Sequence, residues 1–183
     1  MPFASLNERG KMQWRRQRGR KMIQKDVQLV FYEEEEHEAS ICGYELDVKQ
    51  KEFTFMPRAA LERFNGNGHC TPVVILDGNV PAGFFVLHAG PDALGDPGLE
   101  GYMLIRSLSV NPLFQGRGIG QQAMKLLPLF VKKFFPHIGE LILLVNDGND
   151  RASYVYKSAG YEDRGIRRQG PKGLQSVLHL SIR

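Results

Sequence analysis

Cysteine is nearly missing from this sequence: Cys42 and Cys70 are the two it has. Neither stands at metal-ligand spacing, and one pair makes a poor disulfide framework. A metal finger and a disulfide-stapled secreted scaffold are therefore excluded, and two reduced core thiols are expected. Long apolar runs are missing too. None approaches the ~20 residues that a membrane-spanning helix needs, and the first residues hold no apolar signal-peptide core. Both absences lead to the expectation of a cytoplasmic protein without a membrane partner. What remains is ordinary for a globular chain: 42% hydrophobic and 24% charged residues over a length of 183, enough for one core.

The excess of positive charge is confined to one end. Residues 1–21 hold seven basic residues (Arg9, Lys11, Arg15, Arg16, Arg18, Arg20 and Lys21) against Glu8. Without them the remainder has 17 basic and 19 acidic residues, a net charge of −2. The expectation is a basic extension over 1–21, either disordered or not native, and a single domain over 22–183. Met22 followed by Ile23–Gln24–Lys25–Asp26–Val27 reads as the opening of a first strand. Gln13–Lys21 leaves open a contact with nucleic acid, weighed against a plain solvated tail.

Along the chain, Val27–Tyr32 is β-branched and aromatic and predicts a strand. Glu33–Glu36 opens a short helix toward Tyr44, with acids where the helix dipole favours them. Pro57 starts a second helix through Phe64. Val73–Leu76 and Gly83–His88 flank Asp77–Gly78–Asn79 as a hairpin, and Ala89–Glu100 is a long loop of the kind that often carries function. Tyr102–Val110 predicts a central strand. The amphipathic stripe Ile119, Ala123, Leu126, Leu127, Phe130 and Phe134 predicts a helix that Pro128 should kink. Leu141–Val145 predicts a strand covered on both faces. Asn149 caps a helix through Ala152, Val155, Tyr156 and Ala159, which Gly160 stops. Tyr161–Arg168 and Ser176–Ile182 close the chain as a hairpin.

The most informative stretch is Val110–Gly120, with Gly116, Gly118 and Gly120 alternating where a strand turns into a helix. Glycine lets the backbone approach a ligand and adopt positive φ, and a helix N-terminus offers unpaired N–H groups to an anion. The pattern is a pyrophosphate cradle. A P-loop would need Lys and then Ser or Thr, where Gln121 and Gln122 stand. A dinucleotide fold would need its glycines after the first strand, with more βα units behind them.

Gln-x-x-Gly-x-Gly at Gln115, Gly118 and Gly120 resembles the acetyl-CoA loop of the GNAT superfamily of N-acetyltransferases. Its second landmark, Asn-x-x-Ala-x-x-x-Tyr-x-x-x-Gly-aromatic, stands in full at Asn149, Ala152, Tyr156, Gly160 and Tyr161. The resemblance covers about Met22 to the C-terminus and is weakest before Val73. It implies an α/β (α+β) GNAT fold, a central mixed sheet of six to seven strands flanked by about four helices, and acetyl-CoA as cosubstrate. It implies that backbone N–H groups of Gln115, Gly116, Arg117, Gly118, Ile119 and Gly120 hold the pyrophosphate, with the Arg117 side chain as an added cation or a solvated one. The strand before the loop would bulge and splay from its neighbour, so that Leu108 and Val110 offer main-chain hydrogen bonds to the pantetheine. Tyr156 would protonate the leaving thiolate, and Asn149 would contact the cofactor or simply cap its helix.

Some family members carry a Glu on the central strand at the position of Leu104. Its loss makes Glu100 the first candidate for the general base and His88 the second, with a water chain as an equal alternative. The expected reaction is acetyl transfer to a primary amine of a small molecule by direct attack, since no Cys lies at either motif. Glu33–Glu36 with Glu38 suggests a polyamine, although Arg164, Arg167, Arg168 and Lys172 argue against a uniformly acidic acceptor site. Oligomeric state is not readable from the residues; the resemblance allows a homodimer by analogy alone. The alternative is a GNAT-like module that binds CoA or nucleic acid without catalysis.

Overall fold

The computed structural model describes residues 4–6, 12–14, 27–95 and 101–183, the first two stretches as backbone only. Glu100 and most of 1–21 therefore lie outside the described residues. Within the extension, β1 (Ala4–Leu6) pairs antiparallel with β2 (Met12–Trp14) as a separate two-stranded sheet.

A seven-stranded mixed sheet organises everything else. Its strands are β3 (Val27–Phe31), β4 (Cys70–Asp77), β5 (Val80–Ala89), β6 (Tyr102–Val110), β7 (Glu140–Asn146), β8 (Glu162–Gly170) and β9 (Gly173–Ser181), in the spatial order β3-β4-β5-β6-β7-β9-β8. The β6–β7 pair alone is parallel; all its other neighbours are antiparallel. The predicted mixed sheet and its element order are observed. Five helices accompany it: α1 (Glu34–Ile41), α2 (Val48–Lys51), α3 (Pro57–Phe64), α4 (Ile119–Phe134) and α5 (Asp150–Ser158). The four-residue α2 was not predicted; it has no periodicity to read and is held by its cap, Asp47, which accepts from Gln50 N at 2.8 Å.

Alternation along the strands divides the core. On one face Val73, Ile75, Phe85, Leu87, Met103 and Ile105 pack against α4 and α5. On the other, Val74, Phe84 and Val86 meet Ile41 and Ala60 from α1 and α3. Beside them, Leu104 and Ile142 are covered by Ala93 and Leu94 of the β5–β6 connection. The buried stripe of α4 is Ile119, Ala123, Met124, Leu127 and Val131; Phe134, which was expected on it, is 42% exposed. The helix continues unbroken past Pro128. Cys42 and Cys70 are free thiols, both half-buried. Among the described residues no helix is long and apolar enough to cross a membrane.

Candidate active site

The central strand breaks its register where the resemblance said it should. Phe84 pairs with Ser109, but Val86 pairs with Arg106, so β6 spends one residue more than β5 between the two pairs. That is a β-bulge. It is made at Ser107, whose φ of 54° is the one positive value among the described non-glycine residues. On its other side β6 pairs with β7 only from Tyr102 to Ile105. Beyond Ile105, β6 stays with β5, while Leu144–Asn146 stay with β9. The β7-facing edge of Arg106–Val110, which includes Leu108 and Val110, thus borders an open wedge. An extended chain could enter it and complete the ladder.

The glycine loop lies at the wide end of that wedge. Asn111 accepts from Leu113 N at 3.0 Å and starts the 3-10 turn Pro112–Phe114. Gly116 and Gly118 follow with φ of 73° and 74°. Gly118 is the N-cap of α4, which has no side-chain cap, so its terminal N–H groups face outward. Gly120 differs: a Cβ there would meet only Val110 Cγ2, at an ordinary 3.6 Å. The protein itself therefore does not demand glycine at 120, whereas a closely approaching ligand would. Arg117 lies over the Phe114 ring at 5.2 Å and 3.8 Å from the Asp77 carboxylate, its side chain half exposed.

Gln115 has a role that its motif position did not reveal. Its Nε2 donates to Val110 O at 2.8 Å, and its amide exchanges two hydrogen bonds with that of Gln50, at 3.1 and 3.2 Å. The end of β6 is thereby tied to α2. On the far side of the wedge Lys172, in the β8–β9 turn, donates to Glu52 O at 2.6 Å. The short helix consequently bridges the two arms of the splay.

Asn149 accepts from Ala152 N at 3.2 Å, the capping role read from its position. Tyr156 is buried within the α4–α5 face, 6.1 Å from the Tyr161 ring between centroids. Burial pushes its phenol well above the ordinary tyrosine range, so the proton stays on the oxygen at neutral pH. Ser158 accepts from Gln121 Nε2 at 2.8 Å and locks α5 to α4.

The opposite face holds His88, the second candidate for the general base. His88 stands directly across from Leu104 in the β5–β6 ladder. It is buried, with Nε2 3.1 Å from Asp92 Oδ2, and burial lowers its pKa. Asp92 is half exposed and also accepts from Asn67 Nδ2 at 3.0 Å, a bond that lowers its own pKa. Tyr44, from the α1–α2 connection, bonds Ser109 Oγ at 2.7 Å on the bulged strand. No local pattern announces that pair, which joins positions 65 apart. A cavity of about 250 Å³ lies beside it, lined by Cys42, Tyr44, Glu45, Met56, Arg58 and Glu62 among others.

A splayed parallel pair leading into an uncapped, glycine-opened helix defines an acyl-CoA-binding class of site. Residues 32–161 match the acetyltransferase (GNAT) family. The chain is 39% identical over 155 residues to the Bacillus subtilis (strain 168) protein named "Uncharacterized N-acetyltransferase YbbJ", covering 84% of this chain and 96% of that one. It is 34% identical over 88 residues to N-alpha-acetyltransferase RimI of Mycobacterium tuberculosis, across 48% of this chain and 51% of the relative. Among solved structures, aminoglycoside acetyltransferase AAC(6')-Ib in complex with coenzyme A and kanamycin superposes with a TM-score of 0.67. That match is 19% identical and covers 85% of this chain and 94% of the other. The protein belongs to the GNAT family of acetyltransferases, whose cosubstrate is acetyl-CoA.

Proposed function

We propose that the protein transfers the acetyl group of acetyl-CoA to a primary amine of a small molecule by direct attack. The wedge between β6 and β7 carries this reading. Its open edge at Leu108 and Val110 supplies main-chain partners for an extended pantetheine arm. The N–H groups from Gln115 to Gly120 stand where that arm's pyrophosphate would lie, and a cradle of helix-terminal N–H groups fits two phosphates. Arg117 adds a cation once it leaves Asp77.

The amine lone pair attacks the thioester carbonyl carbon, whose developing oxyanion is met by a main-chain N–H near Val110. The C–S bond then breaks, and the thiolate takes the Tyr156 proton. The nitrogen proton leaves through Glu100 or a water chain and restores the tyrosine, so the net transfer is from amine to thiol. His88 is enclosed by Asp92 and its strand, and this favours a supporting role over direct contact with the amine. Residues 22–183 form the catalytic domain in this reading and 1–21 an extension of it, and the enzyme works in the cytoplasm.

A free-thiol release assay with acetyl-CoA over a panel of amines tests the proposal, run beside thermal melting with and without CoA. Turnover and a CoA-dependent rise in Tm are expected, and Gly118→Glu should abolish both by placing a carboxylate in the cradle. Binding of CoA without turnover of any amine would turn the reading to a CoA-binding module.

A further inference from the structure

The arginines of the described residues are matched in two different ways. Arg58, Arg117, Arg164 and Arg167 each lie within 4 Å of a carboxylate. Arg106 and Arg168 have no such partner among the described residues. Both donate instead to main-chain carbonyls: Arg106 Nη2 to Ala93 O, and Arg168 Nη2 to Leu94 O at 2.5 Å. Those carbonyls are consecutive, so one arginine from the central strand and one from the edge strand β8 bond the same turn. Arg106 Nε is buried and has no partner among the described residues. Asp92, in the same turn, already shares its Oδ2 between Asn67 and His88. Lys172 repeats the pattern nearby, bound to the carbonyls that end α2.

Both guanidiniums are held by neutral carbonyls instead of carboxylates, so an anion beside this turn would meet positive charge that no described carboxylate within 4 Å offsets. We propose that Arg106 and Arg168 form a receptor for an oxyanion carried by the acceptor, so that the substrate is an amine that also bears a carboxylate or phosphate. The inference rests on the acetyltransferase reading and narrows its acceptor class. Guanidinium pairs suit planar carboxylates and phosphates through paired N–H donors. The placement suits the reaction as well. Arg106 is the first β6 residue beyond the β7 pairing, and alternation puts it on the same face of the strand as Leu104. It precedes Leu108 by two residues, roughly 7 Å of strand. An anion seated there leaves the amine of a short aminocarboxylate beside the wedge. A polyamine would instead bring its charge against two cations. The acidic run Glu33–Glu36 lies at the start of α1.

The test compares matched acceptors in the thiol-release assay with the full chain: lysine against cadaverine, ornithine against putrescine, and phosphoethanolamine against ethanolamine. The anion-bearing member should have at least a tenfold higher kcat/KM, and the carboxylate and phosphate pairs decide between the two anions. Arg106→Gln and Arg168→Gln should each erase the preference while the KM for acetyl-CoA stays within twofold; Arg106→Lys should keep part of it. A preference for the diamines, or one that survives both Gln variants, would overturn the receptor and leave the acetyltransferase standing. A second readout is independent of turnover. Millimolar glutarate or inorganic phosphate should raise the Tm of the CoA-bound protein, and Arg168→Gln, on an exposed edge strand, should lose that rise. No rise with either anion in the wild-type protein overturns the receptor even if no acceptor turns over.

Discussion

The side-chain amides of Gln50 and Gln115 face each other and exchange two hydrogen bonds, although 65 positions separate them. Through Gln115 Nε2 the same contact reaches Val110 O, the last carbonyl of the bulged strand. One side chain therefore joins the mouth of the wedge to the short helix that spans it. Each such bond contributes about 1 kcal/mol net. Gln115→Ala removes all three and should cost about 3 kcal/mol; Gln50→Ala removes two and should cost about 2 kcal/mol. Urea melts measure the costs. CoA titration by calorimetry should find weaker binding in Gln115→Ala than in Gln50→Ala, and equal affinities would count against a role for Gln115 at the strand end.

Ser107 sets the bulge at a φ of 54°. A residue with a Cβ is held there at a cost of roughly 1 kcal/mol, which glycine does not incur. Ser107→Gly should leave stability unchanged or raise it by up to about 1 kcal/mol. Ser107→Val should lower it by about 2 kcal/mol, because branching at Cβ is least tolerated at positive φ. Loss of CoA binding should accompany the valine variant alone, as the strand regains a flat ladder and the wedge narrows.

What was legible in the sequence was local. Asp77–Gly78–Asn79 announces its hairpin, Asn149 its cap, and Gly116 and Gly118 their positive φ, because each signal depends on neighbours in the chain. The order of the elements followed from such signals one by one. The missing parts are contacts between distant positions: Tyr44 with Ser109, Gln50 with Gln115, and Arg168 with Leu94. The bulge residue is a serine, so nothing in its identity marks a left-handed backbone. Helix α2 is too short to show a period, and the stripe of α4 drifts to Val131 because tertiary burial, not the pattern alone, selects its inner face.

Three tyrosines should make the protein sensitive to alkali. Burial raises the pKa of Tyr44, Tyr156 and Tyr161 above that of an unfolded tyrosine, with the Ser109 hydrogen bond opposing it at Tyr44. Above about pH 10 the unfolded chain releases these protons while the folded one keeps them. The stabilisation is thus fully present below pH 10 and is lost as pH climbs toward the raised folded values. Three groups together give a slope of about −4 kcal/mol per pH unit in that window. The Tyr161 hydroxyl is buried with no partner among the described residues. Tyr161→Phe should therefore reduce the slope by about a third and leave stability at pH 7 unchanged or about 1 kcal/mol higher. Urea melts from pH 7 to 11 would show both effects, and an unchanged slope in the variant would contradict the assignment.

Tyr156→Phe separates proton donation from packing. The ring stays in the core against Tyr161, so the fold and the α4–α5 contact should survive, with Tm altered by no more than a few degrees. The cradle is equally untouched, and CoA affinity should match the wild type. What disappears, in the proposed mechanism, is the proton that Tyr156 passes to the leaving thiolate. Loss of a positioned general acid lowers a rate by ~10²–10⁴, and kcat should fall within that range while the KM for acetyl-CoA stays constant. The deficit should shrink with a thioester whose thiol has a lower pKa, because a better leaving group needs less protonation. If kcat falls equally for both thioesters, Tyr156 acts through packing and the proton reaches the thiolate by another route.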